Sequence, residues 1–152
     1  MLELLKKINL FENLTEHELA KIQKISIEEA HPKDTVIFKE GDPGDRCYVI
    51  TEGEVRISKF IPNIGEEALA ILKPGDYFGE MALIDNFPRS AHAIANTGVR
   101  VFFITKTELD KILILDRDLG YKLLWAFTKT LSRRLRETNE KMAGFLAMSG
   151  GF

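Results

Sequence analysis

The chain has 152 residues, 45% of them hydrophobic and 29% charged, with a formal net charge of -2. That length supports one ordinary core, and the slightly acidic balance offers no global attraction to a polyanionic duplex, so no nucleic-acid partner is expected. A single cysteine, Cys47, rules out an internal disulfide and any cysteine-rich zinc or iron-sulfur site.

Charges run through the first residues without a cleavage-site pattern, and no stretch of about 18 uncharged apolar residues exists, so a cytoplasmic protein with no membrane partner is expected. Helical spacing governs residues 1–25, where Leu10, Phe11, Leu14, Leu19, Ile22 and Ile25 lie close to a helical period. Thr15 followed by Glu18 makes a capping box, with Leu14 ahead of it as a staple residue. From about Asp34 to Thr105 the signal changes to short β-rich runs, TVIF, CYVIT, EVRISKF, EEALAIL, AHAIA and VRVFFIT, separated by Gly/Pro/Asp/Asn turn clusters. Cys47 falls on one of them as a small core residue. Many short strands at regular spacing predict a β-barrel or jelly roll. Helical periodicity returns at Lys106, marked by Thr105 and Glu108, and Asp116 caps a longer helix beginning near Arg117. The expectation is one α+β, mainly β domain over residues 1–152. It divides into a helical lead (1–30), a barrel (31–105) and C-terminal helices (106–146).

Within that last segment Leu124, Phe127, Leu131, Leu135, Thr138, Met142 and Phe145 follow a three-four spacing. The stripe is narrow and interrupted by a polar Thr, as in a coiled-coil seam where a polar core position fixes register. A barrel can cover only part of such a helix, so a parallel homodimer through it is expected.

The densest chemistry lies in residues 75–95, GDYFGEMALIDNFPRSAHAIA. Gly79 and Glu80 open a short helical run, Met81-Ala82-Leu83-Ile84, whose first N–H groups are free to face an anion. Arg89 adds a permanently charged fork suited to phosphate oxygens. Ser90 and Ala91 let the backbone come close, and the Ser90 hydroxyl offers a further hydrogen bond. Glu80 is then placed to accept from a sugar hydroxyl. In this order F-G-E-x-A-L-I-x-x-x-P-R-S-A resembles the phosphate-binding cassette of cyclic nucleotide-binding domains, found in the catabolite activator family, in cyclic-nucleotide-dependent kinases and in gated channels. FKEGDPGDRCYVITEGEV, residues 38–55, extends the resemblance, which covers about residues 10–141. Gly41, Gly53 and Gly75 read as fold residues at reversals, and Phe38, Tyr48 and Phe78 as core, Phe78 also bordering the site.

The resemblance implies a cyclic nucleotide ligand held by Phe78, Gly79, Glu80, Met81, Ala82, Arg89, Ser90 and Ala91. Residues 132–142, SRRLRETNEKM, resemble the dimer helix of the activator family. By that likeness Thr138 and Asn139 meet the purine edge, Asn139 from the partner subunit, where the family more often has Ser, and Arg134 is a further contact. Leu69, Ala70 and Leu72 resemble the apolar wall around ribose and base. Ser90 stands where a Thr is associated with guanine in the kinase branch, which favours cAMP and leaves cGMP as the alternative. The activator family follows this helix with a helix-turn-helix domain, whereas only residues 146–152 follow here. The expectation is therefore a sensor acting on an unknown protein partner, whether whole or part of a longer chain. A phosphodiesterase is the enzymatic rival, since Glu80, Asp85, Arg89 and His92 cluster. His17, His31 and His92 share no ligand spacing, so neither an enzyme nor a metal is expected. A structural or interaction barrel, empty or holding haem through His92, is the other alternative, against which stand the intact Glu80, Arg89 and Ser90.

Overall fold

The apolar run over residues 99–105 does not alternate because both faces of its strand are covered. In the computed structural model, which describes residues 2–150 apart from the side chain of Ala82, β8 (Val99–Thr105) is central in a four-stranded sheet. The order there is β1 (Ile27–His31), β8, β3 (Arg46–Glu52), β6 (Tyr77–Phe78). Val101 and Phe103 join Tyr48, Ile50, Val55 and Phe78 inside the barrel, while Phe102 and Ile104 join Cys47, Val49 and Tyr77 beneath the helices. A second sheet, ordered β2 (Val36–Phe38), β7 (His92–Ala95), β4 (Val55–Ile61), β5 (Gly65–Leu72), closes the other side. Every pairing is antiparallel, and the two facing sheets make the expected jelly roll.

Two strands escape the sequence pattern. β1 is IEEAH, mostly exposed, and is held by its register with β8 (Ile27↔Phe103, Glu29↔Val101) rather than by apolar alternation. It lies across the boundary assigned between helical lead and barrel, which corrects that boundary to residue 27. β6 is only two residues long, too short for a period, and pairs through Tyr48↔Phe78. Gly53 turns β3 into β4 at φ +78°, where a Cβ would lie 2.1 Å from the Gly98 carbonyl oxygen.

The helical lead comprises α1 (Leu2–Leu5), a 3-10 turn over Asn9–Phe11, and α2 (Glu16–Ile25). The capping box is present: Glu18 N–H donates to Thr15 Oγ1 at 3.2 Å, and Thr15 N–H donates to the Glu18 carboxylate at 3.0 Å. Beyond the barrel, α4 (Lys106–Leu115) leads to α5 (Arg117–Ser149), whose Leu119 N–H is capped by Asp116 Oδ1 at 3.2 Å. The final helix thus extends past the assigned end at residue 146. Leu119, Leu123 and Phe127 pack on the N-terminal helices and the outer face of the first sheet. Lys122 reaches Glu18 across that contact at 2.6 Å.

Farther along α5, Leu135, Met142 and Phe145 are exposed. Phe127 does not share their face: it is 3% exposed and stands edge-on to Tyr77, with ring centroids 5.5 Å apart. The outward three-four row therefore runs Tyr121, Leu124, Thr128, Leu131, Leu135, Thr138, Met142, Phe145, with Thr128 in the place assigned to Phe127. Among the described residues no helix is long and apolar enough to cross a membrane.

Candidate functional site

Between β6 and β7 the chain makes a tight detour that places two buried charges within one wall of the barrel. Gly79 takes φ +83°, and Glu80 precedes α3 (Met81–Asp85). The Leu83 and Ile84 amides return to the Glu80 carbonyl, so the earlier amides of this turn lie outside the helical ladder. The Glu80 side chain, 1% exposed, is engaged by the Arg134 guanidinium from α5, which also donates to the Tyr77 carbonyl and lies 5.4 Å from the Tyr77 ring centroid. Burial pushes the Glu80 carboxyl above the usual carboxylate range, against the opposing pull of Arg134.

Arg89 is 5% exposed and has a different environment. Its two Nη atoms donate to the carbonyls of Gly79 and Arg46, each at 2.8 Å, and its guanidinium covers the Phe38 ring at 4.2 Å from the centroid. Its partners are thus neutral, and Nε is buried without a hydrogen-bond partner among the described residues. Burial lowers its affinity for the proton. A desolvated cation with neutral partners and an orphaned donor is stabilised by an anion that brings acceptors. The backbone around it is pinned on both sides: Gly41 N–H donates to the Arg89 carbonyl and Arg89 N–H to the Asp42 carbonyl, each at 2.8 Å. Among the described residues no cluster of histidine, cysteine and carboxylates forms a metal site. Cys47 is buried, and desolvation raises its thiol pKa far above the usual range, as for an unreactive core thiol.

Two adjoining hollows meet at Ile57 and Met81. The smaller, about 90 Å³, is lined by Gly79, Arg89, Ser90 and Ala91 with Phe38; the larger, about 430 Å³, by Phe78, Glu80, Leu69, Leu72, Arg134 and Thr138. A volume of that order accommodates a mononucleotide-sized ligand. The two hollows thus border on nearly all the residues singled out in the sequence. Ala82 lies in α3, its side chain outside the description. Asn139 is exposed and does not line either hollow of its own protomer.

The sequence profile of the cyclic nucleotide-binding domain matches residues 28–116, more than half of the chain. The chain belongs to the cyclic nucleotide-binding domain family. A CRP-like cAMP-activated global transcriptional regulator of Mycobacterium tuberculosis is 33% identical over 145 residues, 95% of this chain and 62% of the regulator. Among solved structures, a cyclic nucleotide-binding domain from Methylobacillus flagellatus superposes with a TM-score of 0.84 at 33% identity, covering 94% of this chain and 80% of that one. The regulatory domain of Toxoplasma gondii PKA, crystallised with cAMP, superposes with a TM-score of 0.72 at 26% identity, covering 87% of this chain and 48% of that one. The chain therefore spans less than two thirds of the mycobacterial regulator's length.

This cyclic nucleotide-binding domain has site neighbours that sequence reasoning passed over. Arg133, Glu137 and Lys141 line the larger hollow together with Thr138, and Lys141 Nζ donates to the Leu69 carbonyl at 3.2 Å, fastening α5 to the exposed strand β5. Their signal was present as the helical spacing from Arg134 through Thr138 to Lys141, one face of α5. Phe38, assigned to the core alone, also forms the floor beneath Arg89.

Proposed function

We propose that this domain binds a cyclic purine mononucleotide, cAMP in preference to cGMP, and serves as a non-enzymatic cytoplasmic regulator of a partner protein. The observation that carries the reading is the buried Arg89 guanidinium, whose Nε has no partner and whose Nη donors meet only carbonyls. A phosphodiester supplies the missing charge and acceptors, with Ser90 and the first amides of the α3 turn as additional donors. Glu80, nine residues before Arg89 and in the same wall, accepts from the ribose hydroxyl, and Leu69, Leu72 and Phe78 enclose the sugar and base. The mycobacterial regulator is named for activation by cAMP and the Toxoplasma domain was crystallised with it, which supports adenine over guanine.

The base then meets Thr138 on α5. The outward row, exposed apart from a half-buried Leu131, puts Tyr121, Thr128, Leu135 and Met142 at one heptad core position and Leu124, Leu131, Thr138 and Phe145 at the other, the pattern of a parallel two-stranded seam. In that register Arg134 flanks the seam on one side and Asn139 on the other, five residues on, so a partner's Asn139 faces the Arg134 that lines the pocket. This accounts for an exposed Asn139 as a cross-subunit contact. Calorimetry against cAMP, cGMP and AMP tests the reading. The expected order is cAMP tightest and AMP weakest; AMP binding as tightly as cAMP rejects the phosphodiester, and no heat with any of the three rejects the function.

A further inference from the structure

His92 has no role in the site as described, yet it closes an arch over Arg89. The arch runs from Phe38 to Asp42. Phe38 lies under the Arg89 guanidinium, Gly41 and Asp42 bracket the Arg89 backbone, and the arch is tied internally by Lys39 N–H donating to Asp42 Oδ2 at 3.0 Å. Asp42 N–H donates to the Lys39 carbonyl at 3.1 Å, and Glu40 N–H donates to His92 Nδ1 at 3.2 Å. An accepting Nδ1 carries no proton, so in this arrangement the ring is neutral with its hydrogen on Nε2. The ring is half-buried and stands edge-on to Phe60, centroids 5.9 Å apart, and its backbone lies opposite Ser58 of β4.

The charged groups packed around it come from each neighbouring element. Glu40 of the arch pairs with Lys59 of β4 at 3.2 Å, and Glu66 of β5 is taken by Arg56 of β4 at 3.0 Å and by the Ser58 hydroxyl at 3.1 Å. Both carboxylates already serve a cation. A proton from solvent arriving on Nδ1 therefore sets its N–H against the Glu40 N–H, two donors face to face, and the Glu40 amide must turn away. Glu40 is joined directly to Gly41, whose amide holds the Arg89 carbonyl.

We propose that His92 is a positioning residue for Arg89, its neutral imidazole holding the arch closed and its protonation releasing the arch, so that anion binding by this domain weakens in acid. This deepens the nucleotide reading and rests on it for the ligand, but the movement of the arch can be measured without one. In the free protein, amide chemical shifts of Glu40, Gly41 and Arg89 are followed together with the His92 ring between about pH 8 and about pH 5.5, the range in which histidine changes charge. The three amides are expected to move in step with the ring. In His92→Asn, whose Oδ1 can accept the Glu40 amide but does not titrate, they are expected to stay still.

Titrations with cAMP over the same range are expected to show an affinity loss of about fivefold in the wild type, the value of one net hydrogen bond, and none in His92→Asn. Gly41 and Arg89 amides that stay still while the His92 ring titrates overturn the proposal. So does a His92→Asn variant that keeps the wild-type pH profile for cAMP. If cAMP binds at no pH, the nucleotide reading fails, and the amide titration still decides the role of His92.

Discussion

Gly79→Ala separates the cost of a strained backbone from the cost of a displaced ligand-binding group. Gly79 has φ +83°, and a Cβ there would lie 2.7 Å from Arg89 Nη1 and 3.2 Å from the Arg46 carbonyl oxygen, where ordinary contact begins at 3.4 Å. The left-handed backbone alone costs an L residue about 1–2 kcal/mol. For a domain of this length that lowers the melting temperature by about 2–8 °C. The steric conflict adds a second effect, because the guanidinium must retreat by several tenths of an ångström from the carbonyls that now receive it at 2.8 Å. A misplaced hydrogen bond to a charged group is worth about 1.5–3 kcal/mol, so cAMP affinity is expected to fall by about 10- to 100-fold. Gly65→Ala supplies the control: φ is +106° there, with nothing within 4 Å of the added Cβ, so it should lower melting and leave affinity unchanged. Thermal melts and calorimetric titration of the two variants give both numbers. A Gly79→Ala protein that melts lower yet binds cAMP within twofold of wild type would refute the idea that Gly79 exists to admit Arg89.

Removing the cation itself, Arg89→Ala, should weaken cAMP by about 30-fold or more, from the ~2–5 kcal/mol of a truncated buried charge contact; a loss below about threefold in a folded variant rejects the phosphate assignment. At Glu18, burial raises the carboxyl pKa, but hydrogen bonds from Lys122 and Thr15 together outweigh it and hold the group below its ordinary value. A depressed carboxyl contributes stability above its unfolded pKa and loses it as pH falls through the folded one. The melting advantage of wild type over Glu18→Gln should therefore shrink as melts are taken from about pH 6 to about pH 3, and an advantage that is unchanged or grows excludes the linkage. Replacing Leu131 and Leu135 by Lys should give a monomer in sedimentation with reduced preference for cAMP over cGMP; a monomer of undiminished preference places base recognition within one barrel.

The cassette could be read from sequence because its chemistry is local. The φ of Gly79, the helical start at Met81 and the small residues after Arg89 all depend on neighbours within a few positions. The capping residues Thr15 and Asp116 could be read for the same reason. What escaped was set by distant partners. β1 is a strand because β8 pairs with it, and Phe127 turns inward because Tyr77 waits there, although the spacing of α5 allows it to face either way. Phe38 lies beneath Arg89, and Lys141 reaches the Leu69 carbonyl, through approaches that no local period encodes.

The Glu80 to Arg134 pair is the most consequential of these long-range contacts, since it links the cassette to α5 by an ion pair whose carboxylate is buried and whose guanidinium is half-buried. A ribose hydroxyl that takes a Glu80 oxygen changes what Arg134 holds, and an anion on Arg89 adds negative charge to the same wall. In the proposed complex both events act on Arg134, which stands on α5 one turn before Thr138. A ligand can move that helix only through its different affinity for two helix positions. In the proposed reading the side chain that registers the difference is Arg134, while Arg89, held by the barrel's own carbonyls, supplies affinity without direction.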